Sequence, residues 1–251
     1  MIPNIEKILS EIEAKENIKI ILAVESGSRA YEINSPDSDY DVRFIYVRNT
    51  ADYLKLNEMK DVIEWQLDDT LDINGWDIKK VLKLLYKSNA SVFEWAASPI
   101  IYKTTTEFEK LKELLPQYFS KKRLVFHYYK LARNNYKRYL QKDVVKAKEY
   151  FYVIRSILAA KCIIDKGTMP PMKFIELEFD SEIKEDVNKL LEMKRETSNM
   201  GTIAQIESIH KWVESELDYI ESAANSMESD YYDWNALNDY FSGLLLNQIS
   251  K

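Results

Sequence analysis

The 251-residue chain is 30% charged and 46% hydrophobic, with five glycines and six prolines, a composition that suits folded globular domains and excludes long flexible linkers. No apolar run approaches the roughly 18 residues of a membrane span, and no signal-peptide pattern precedes Asn4, so no membrane partner is expected. The single cysteine, Cys162, excludes an intrachain disulfide and suits a reducing cytoplasm, and with only His127 and His210 beside it a structural zinc is not expected.

The net charge of −6 hides a division. From Lys121 to Lys161 twelve Lys/Arg face only Asp143 and Glu149, a balance of +10, whereas from Phe174 to the end six basic residues face seventeen acidic ones, a balance of −11. Either a polyanion meets the basic segment, or the two segments pack together and neutralise each other.

In chain order, Ile5, Ile8, Leu9 and Ile12 recur at helical spacing and predict a helix over 3–15. Ile18 to Val24 is a nearly continuous apolar run, as in a strand covered on both faces. Ser28 has the chemistry of an N-cap for a short helix reaching Ile33, and Asn34 to Ser38 supplies turn chemistry before a strand from Tyr40 to Val47. Residues 62–67 and 71–74 read as two strands across a polar turn at 68–70, followed by a helix over 76–87 with Ile78, Val81, Leu82 and Leu85 on one stripe. After Ser98-Pro99, residues 105–115, 120–141, 145–166, 182–196, 202–225 and 230–249 all show helical periodicity. The expected architecture is α+β: a small mixed-sheet domain over 1–103 and an all-helical domain over 104–251.

Chemistry concentrates where the first strand ends. Eleven residues beyond Ser28 stands Asp39-Tyr40-Asp41, and residues two apart on a strand project from one face. Two carboxylates roughly 6 Å apart repel by about 3 kcal/mol at an effective dielectric near 20. A cation between them reverses that penalty, and oxygen-only ligands select a hard ion such as Mg²⁺. An Asp-rich solvated strand end would carry the same two residues, so the context matters. Gly27 permits a tight turn, and Ser28 with the N–H groups behind it makes an anion site. If the two strands are antiparallel neighbours, phosphate site and metal site share one edge. Arg29 either adds charge to that edge or is a surface arginine at the end of the turn. Asp72, flanked by Leu71 and Ile73, is preferred to Asp77 as a third acid, because an acid on a buried strand is costly unless paired or metal-bound, whereas Asp77 falls in a first helical turn.

Gly27-Ser28-Arg29, Asp39-Tyr40-Asp41 and Asp72 resemble the DNA polymerase β nucleotidyltransferase superfamily. Within it, Asp72-Ile-Asn-Gly-Trp-Asp77, Lys87-Ser-Asn-Ala-Ser-Val-Phe-Glu-Trp95, Ser98-Pro-Ile-Ile-Tyr102, Lys148 to Ala160 and Pro170-Pro171-x-x-Phe174 are similar to the RlaP type, the family associated with bacterial RNA repair. The resemblance implies metal-dependent transfer of a nucleoside monophosphate from an NTP, with release of pyrophosphate. It implies Asp39, Asp41 and Asp72 as catalytic metal ligands for two Mg²⁺ ions, or Mn²⁺, and Gly27 and Ser28 as holders of the triphosphate. Among an RNA end, a protein side chain and a small molecule as acceptor, it tilts the choice toward an RNA end. Ala90 stands where such families often carry proline, which alters a helix start and no chemistry.

The helix over 145–166 is apolar around most of its circumference, and Lys148, Tyr152 and Arg155 form one polar stripe on it. That stripe either meets nucleotide phosphates or pairs with acids of the C-terminal helices. Lys130, Arg133 and Lys137 make a similar stripe on the preceding helix, read first as a solvated face and second as a nucleic-acid contact. Trp76 and Trp95 are expected in the core, and His127 lacks an evident partner for general-base work. The rival readings are a non-catalytic nucleotide sensor or toxin–antitoxin-type regulator, and a nuclease using the same acids.

Overall fold

The computed structural model describes residues 4–35, 38–68, 70–196 and 200–249. Pro36, Asp37 and Asp69, which belong to the two expected turns, lie outside the described residues. Elements follow in the order α1 (Ile5–Glu16), β1 (Ile18–Glu25), α2 (Gly27–Ala30), β2 (Tyr40–Arg48), α3 (Thr50–Tyr53), β3 (Val62–Asp68), β4 (Leu71–Asp77), α4 (Ile78–Tyr86), α5 (Ala90–Ala96), β5 (Ile101–Thr104) and α6 (Thr106–Lys112). They continue with α7 (Lys121–Tyr139), β6 (Val144–Lys146), α8 (Lys148–Lys166), α9 (Ser181–Glu196), β7 (Thr202–Ala204), α10 (Glu207–Ser226) and α11 (Asn235–Ile249). The fold is α+β, as expected.

The chain forms two compact units, one from Met1–Gly27, Asp39–Phe119 and Tyr231–Lys251, the other from Ser28–Ser38 and Ser120–Asp230. This grouping departs from a single boundary at residues 103/104 in three places. Residues 104–119 and the C-terminal segment group with the sheet, and the segment between β1 and β2 groups with the helices.

The first unit is built on a five-stranded sheet in the order β3-β4-β2-β1-β5. β2 and β4 run parallel and the other pairs antiparallel. Asn4 caps α1 by accepting from Lys7 N–H (3.1 Å), and Ile5, Leu9 and Ile12 press onto Ile20, Ala23, Val42, Phe44, Tyr46, Leu71 and Ile73. Gly75 is required here, since a Cβ would meet the ring of its neighbour Phe44 at 2.1 Å. α4 packs against β2 and β4. Its N-cap is Asp77, which accepts from Lys79 N–H at 2.7 Å, and it buries Ile78, Val81, Leu82 and Leu85. Trp95 is buried as expected, whereas Trp76 is only half-buried; their rings meet at a tilt of 36° with centroids 4.1 Å apart. The segment from Tyr231 returns to this unit: Tyr86 stacks on Trp234 (3.7 Å), Tyr53 meets Phe241 edge-on, and Thr50 Oγ1 donates to Leu245 O (3.1 Å).

In the second unit α8 is the central helix, with Tyr150, Phe151, Val153, Ile154, Ile157, Ala159, Ala160 and Ile163 all buried. α7 and α10 pack on it, and β6 and β7 add a two-stranded ribbon, so this part is not all-helical. The ribbon explains why α8 and α10 begin later than the expected 145 and 202. Among the described residues no helix is long and apolar enough to cross a membrane.

A hydrogen-bond relay ties α7, α8 and α10 together. Tyr150 Oη accepts from Ile206 N–H (2.9 Å), which leaves its own proton for His210 Nε2 (3.0 Å). Tyr136 Oη donates to Glu214 (2.9 Å) and so accepts from His210 Nδ1–H (3.2 Å). The relay needs a neutral imidazole, and burial, partly opposed by Glu214, lowers the His210 pKa. The unfolded chain therefore takes up this proton at higher pH than the folded one. The stability contributed by neutral His210 is present above the ordinary imidazole value of about 6.5 and is lost as pH falls below it. Melting temperature should drop between about pH 7.5 and 5.5, and His210→Gln should flatten that slope. An unchanged slope in the variant would refute the relay's role.

Candidate active site

Strand alternation and register decide where the acids go. β2 and β4 are parallel neighbours with Asp41 opposite Asp72 and Val42 opposite Ile73. Val42, Phe44, Leu71 and Ile73 point to the α1 side, so Asp41, Arg43 and Asp72 share the other face. At the ~5 Å spacing of adjacent strands the two carboxylates repel by about 1 kcal/mol when solvated and about 3 kcal/mol at an effective dielectric of 20. The Arg43 guanidinium relieves this. Nη2 donates to Asp41 Oδ1 (3.1 Å) and Asp72 Oδ2 (2.7 Å), while Nη1 donates to the carbonyls of Val42 (3.1 Å) and Asp72 (3.0 Å). Asp39 is exposed, one residue before β2.

Gly27 ends the neighbouring chain segment at φ 59°. A Cβ there would lie 2.1 Å from Asp41 Oδ2, so the Asp41 carboxylate rests against the glycine turn. β1 and β2 are antiparallel neighbours, as the shared-edge reading requires. Behind Asp41 stands Glu25, fully buried. Its Oε1 accepts from Asp41 N–H (2.8 Å), its Oε2 accepts from the Tyr102 hydroxyl, and its carbonyl accepts from Ser98 Oγ (2.6 Å).

Residues 1–243 match RlaP, described as an RNA repair pathway DNA polymerase beta family. The chain belongs to that family. The Bacillus subtilis (strain 168) protein YcgL, called uncharacterized, is 42% identical over 248 residues, covering 97% of this chain and 94% of its own. A nucleotidyltransferase-like protein of known structure from Exiguobacterium sibiricum aligns over 97% of this chain and 80% of its own, with 14% identity and a TM-score of 0.33.

For this RlaP-family chain, the sequence-derived site residues separate into groups. Asp41 and Asp72 meet on Arg43, and Gly27 abuts Asp41. Asp72 is 56% exposed, so its expected desolvation cost does not arise; alternation sends its neighbours inward and leaves the acid outside. Asp77 lies at the far end of β4, five registers or about 17 Å along the strand. There it is buried, capping α4 and accepting from Tyr53 Oη (2.9 Å), and burial raises its pKa. Ser28 lies inside the single turn of α2 instead of capping a helix. Arg29 Nη2 donates to Ser38 O (2.6 Å), closing its own loop.

On α8, Lys148 is exposed, Tyr152 half-buried and Arg155 buried. The Arg155 guanidinium stacks over Tyr31 (3.7 Å) and approaches Met172 Sδ (3.8 Å). The ion pairs from α8 to the acids of the C-terminal half run instead through Lys161, to Asp180 (2.7 Å) and Glu216 (2.9 Å), and at the exposed helix end through Lys166, to Glu178 (2.7 Å). Among the described residues no group of three His, Cys, Asp or Glu side chains stands as a preformed metal cage. The donor set nevertheless fits a hard divalent ion, because Asp41 and Asp72 offer only oxygens and already gather around a positive charge. Sequence reading missed Arg43 and Glu25. Arg43 was signalled by its place two residues after Asp41 on the same strand face, and Glu25 by an acid closing an otherwise apolar run.

Gly27 and Gly201 both have positive φ, but a Cβ at Gly201 meets nothing within 4 Å. Both Ala variants should lose about 1 kcal/mol for the backbone conformation. Gly27→Ala should lose at least about 1 kcal/mol more, for displacing Asp41. Urea unfolding of the two variants measures the difference; equal losses would contradict the contact.

Proposed function

We propose that this protein is a metal-dependent nucleotidyltransferase that moves a nucleoside monophosphate from an NTP to an acceptor hydroxyl, an RNA end, releasing pyrophosphate. The observation that carries this reading is the juxtaposition of Asp41 and Asp72 beside the Gly27 turn, in a chain of the RlaP family. In it Asp39, Asp41 and Asp72 hold Mg²⁺, as two ions, with Mn²⁺ able to replace them. Bound there, the metal supplies charge neutralisation for the triphosphate and acidifies the acceptor hydroxyl. Gly27, lacking a side chain, lets phosphate approach the backbone, and Ser28 and Arg29 follow it on the same turn. The acceptor oxygen bonds to the α-phosphorus as the bond to the pyrophosphate oxygen breaks, in line. Exposed Lys148 suits phosphate contact, with Tyr152 one turn on. Arg155 serves the nucleotide by holding Tyr31, and with it the segment that carries Ser28 and Arg29. The setting we propose is the cytoplasm, on the ground of the lone Cys162.

An RNA acceptor is supported by the outward face of α7. Lys130, Arg133, Lys137 and Arg138 are all exposed there, with Lys142 and Lys146 exposed on the approach to and along the ribbon. Such spacing suits a phosphate backbone, for which affinity falls with salt in proportion to the contacts made.

Purified protein with Mg²⁺, labelled NTPs and a panel of RNA ends should transfer label and release pyrophosphate. Asp41→Asn and Asp72→Asn should each lower the rate by about three orders of magnitude, roughly 4 kcal/mol in the barrier. No transfer by wild type, or equal transfer by a variant carrying both Asp41→Asn and Asp72→Asn, rejects the enzyme reading, and nucleotide binding without turnover points to a sensor. Replacing Lys130, Arg133 and Lys137 by Glu should weaken RNA binding and reduce the slope of log affinity against log salt by roughly 2–3. An unchanged slope would remove α7 from the RNA path.

A further inference from the structure

Arg43 occupies the place a metal would need. It is only 19% exposed and grips both carboxylates with one nitrogen while its other nitrogen is pinned by two main-chain carbonyls. The guanidinium is planar and weakly hydrated, which suits it to this half-buried position. A divalent ion seated on Asp41 Oδ1 and Asp72 Oδ2 would meet that positive charge at roughly 4 Å in a partly desolvated edge. The two cations compete for the same oxygens.

We propose that Arg43 is a built-in counter-ion that gates the acid pair: it holds Asp41 and Asp72 together in the ligand-free protein and must leave them before a divalent ion can bind. This rests on the metal-dependent reading above. The strand fixes the Arg43 backbone, so only the side chain has to swing. Once released, its forked donors lie at the same edge as the Gly27 turn, where they match a phosphate group in geometry and sign. The protein would then take up metal poorly on its own and better when an anion is present to receive the arginine.

The test measures Mn²⁺ binding to the intact chain by electron paramagnetic resonance or calorimetry, without nucleotide. Arg43→Gln should bind Mn²⁺ about tenfold more tightly than wild type, the change expected if Arg43 vacates the acids about one-tenth of the time. A merely structural arginine predicts the opposite, because loosening the acid pair weakens metal binding. Melting temperature supplies a second readout: Arg43→Gln should melt lower than wild type in chelator and recover more on adding Mn²⁺. If Arg43→Gln does not fold, Arg43→Lys replaces it. A lysine ends in a single nitrogen and cannot at the same time hold the Val42 and Asp72 carbonyls that pin Arg43, so that variant should bind more tightly than wild type, and unchanged or weaker binding overturns the gate. Equal Mn²⁺ affinity in wild type and Arg43→Gln, with binding abolished in Asp72→Asn, sinks the gate and leaves the metal reading standing. Binding by neither protein overturns both.

Discussion

Parallel pairing of β2 with β4 forces two like charges side by side, since the register that seats Val42 against Ile73 and Phe44 against Gly75 also sets Asp41 against Asp72. A slip of one residue would turn every inward side chain outward, and the α1-side core would be lost. The acids are therefore held by the core's own requirements. Phe44 and Gly75 contribute to this as strongly as any polar group, because the ring fits only over a residue without a Cβ. The repulsion that results is met by Arg43, which comes from the same strand by the same alternation.

Beyond the pair, Asp41 is steadied from the opposite side of the sheet. β1 ends at Glu25, and the buried Glu25 carboxylate takes up the Asp41 N–H. Ser98 and Tyr102, 73 and 77 residues further on, hold Glu25 in turn. A buried carboxylate is tolerable only when such partners surround it. The Ser98-Pro-Ile-Ile-Tyr102 segment thus does two things: it supplies the edge strand β5 and it orients Glu25 behind the acid pair.

These relations explain what could be read from the chain. β1, β2 and α4 were legible because continuous apolar runs and a four-residue stripe report burial directly. α5 spans seven residues from its Asn89 cap, too few to show a period, and β5 is an edge strand whose ends are exposed. The three-residue strands of the ribbon carry no pattern at all. α11 was legible as a helix, but its placement was not: Thr50 and Leu245, which meet in the structure, stand 195 residues apart, and nothing local encodes that. At the site, the spacing of Asp39, Asp41 and Asp72 carried the prediction. The desolvation argument for Asp72 failed because burial of Leu71 and Ile73 says nothing about the residue between them.

The same rule sorts the charges of the second unit. Sequence left two fates for its basic segment, neutralisation by the acidic C-terminal half or contact with a polyanion, and the helices divide them. Lys161, on the inner helix α8, is paired with both Asp180 and Glu216. Cations near the interior must be paired there, because a lone charge out of water is costly. Lys130, Arg133, Lys137 and Arg138 are on the outward side of α7 and remain exposed to solvent. Solvated charges incur no such cost, so nothing in folding requires cations at these four positions. Burial sorts the acid edge in the same way: Asp72 stands exposed, Asp41 is partly covered, and the less exposed Arg43 guanidinium is paired with both.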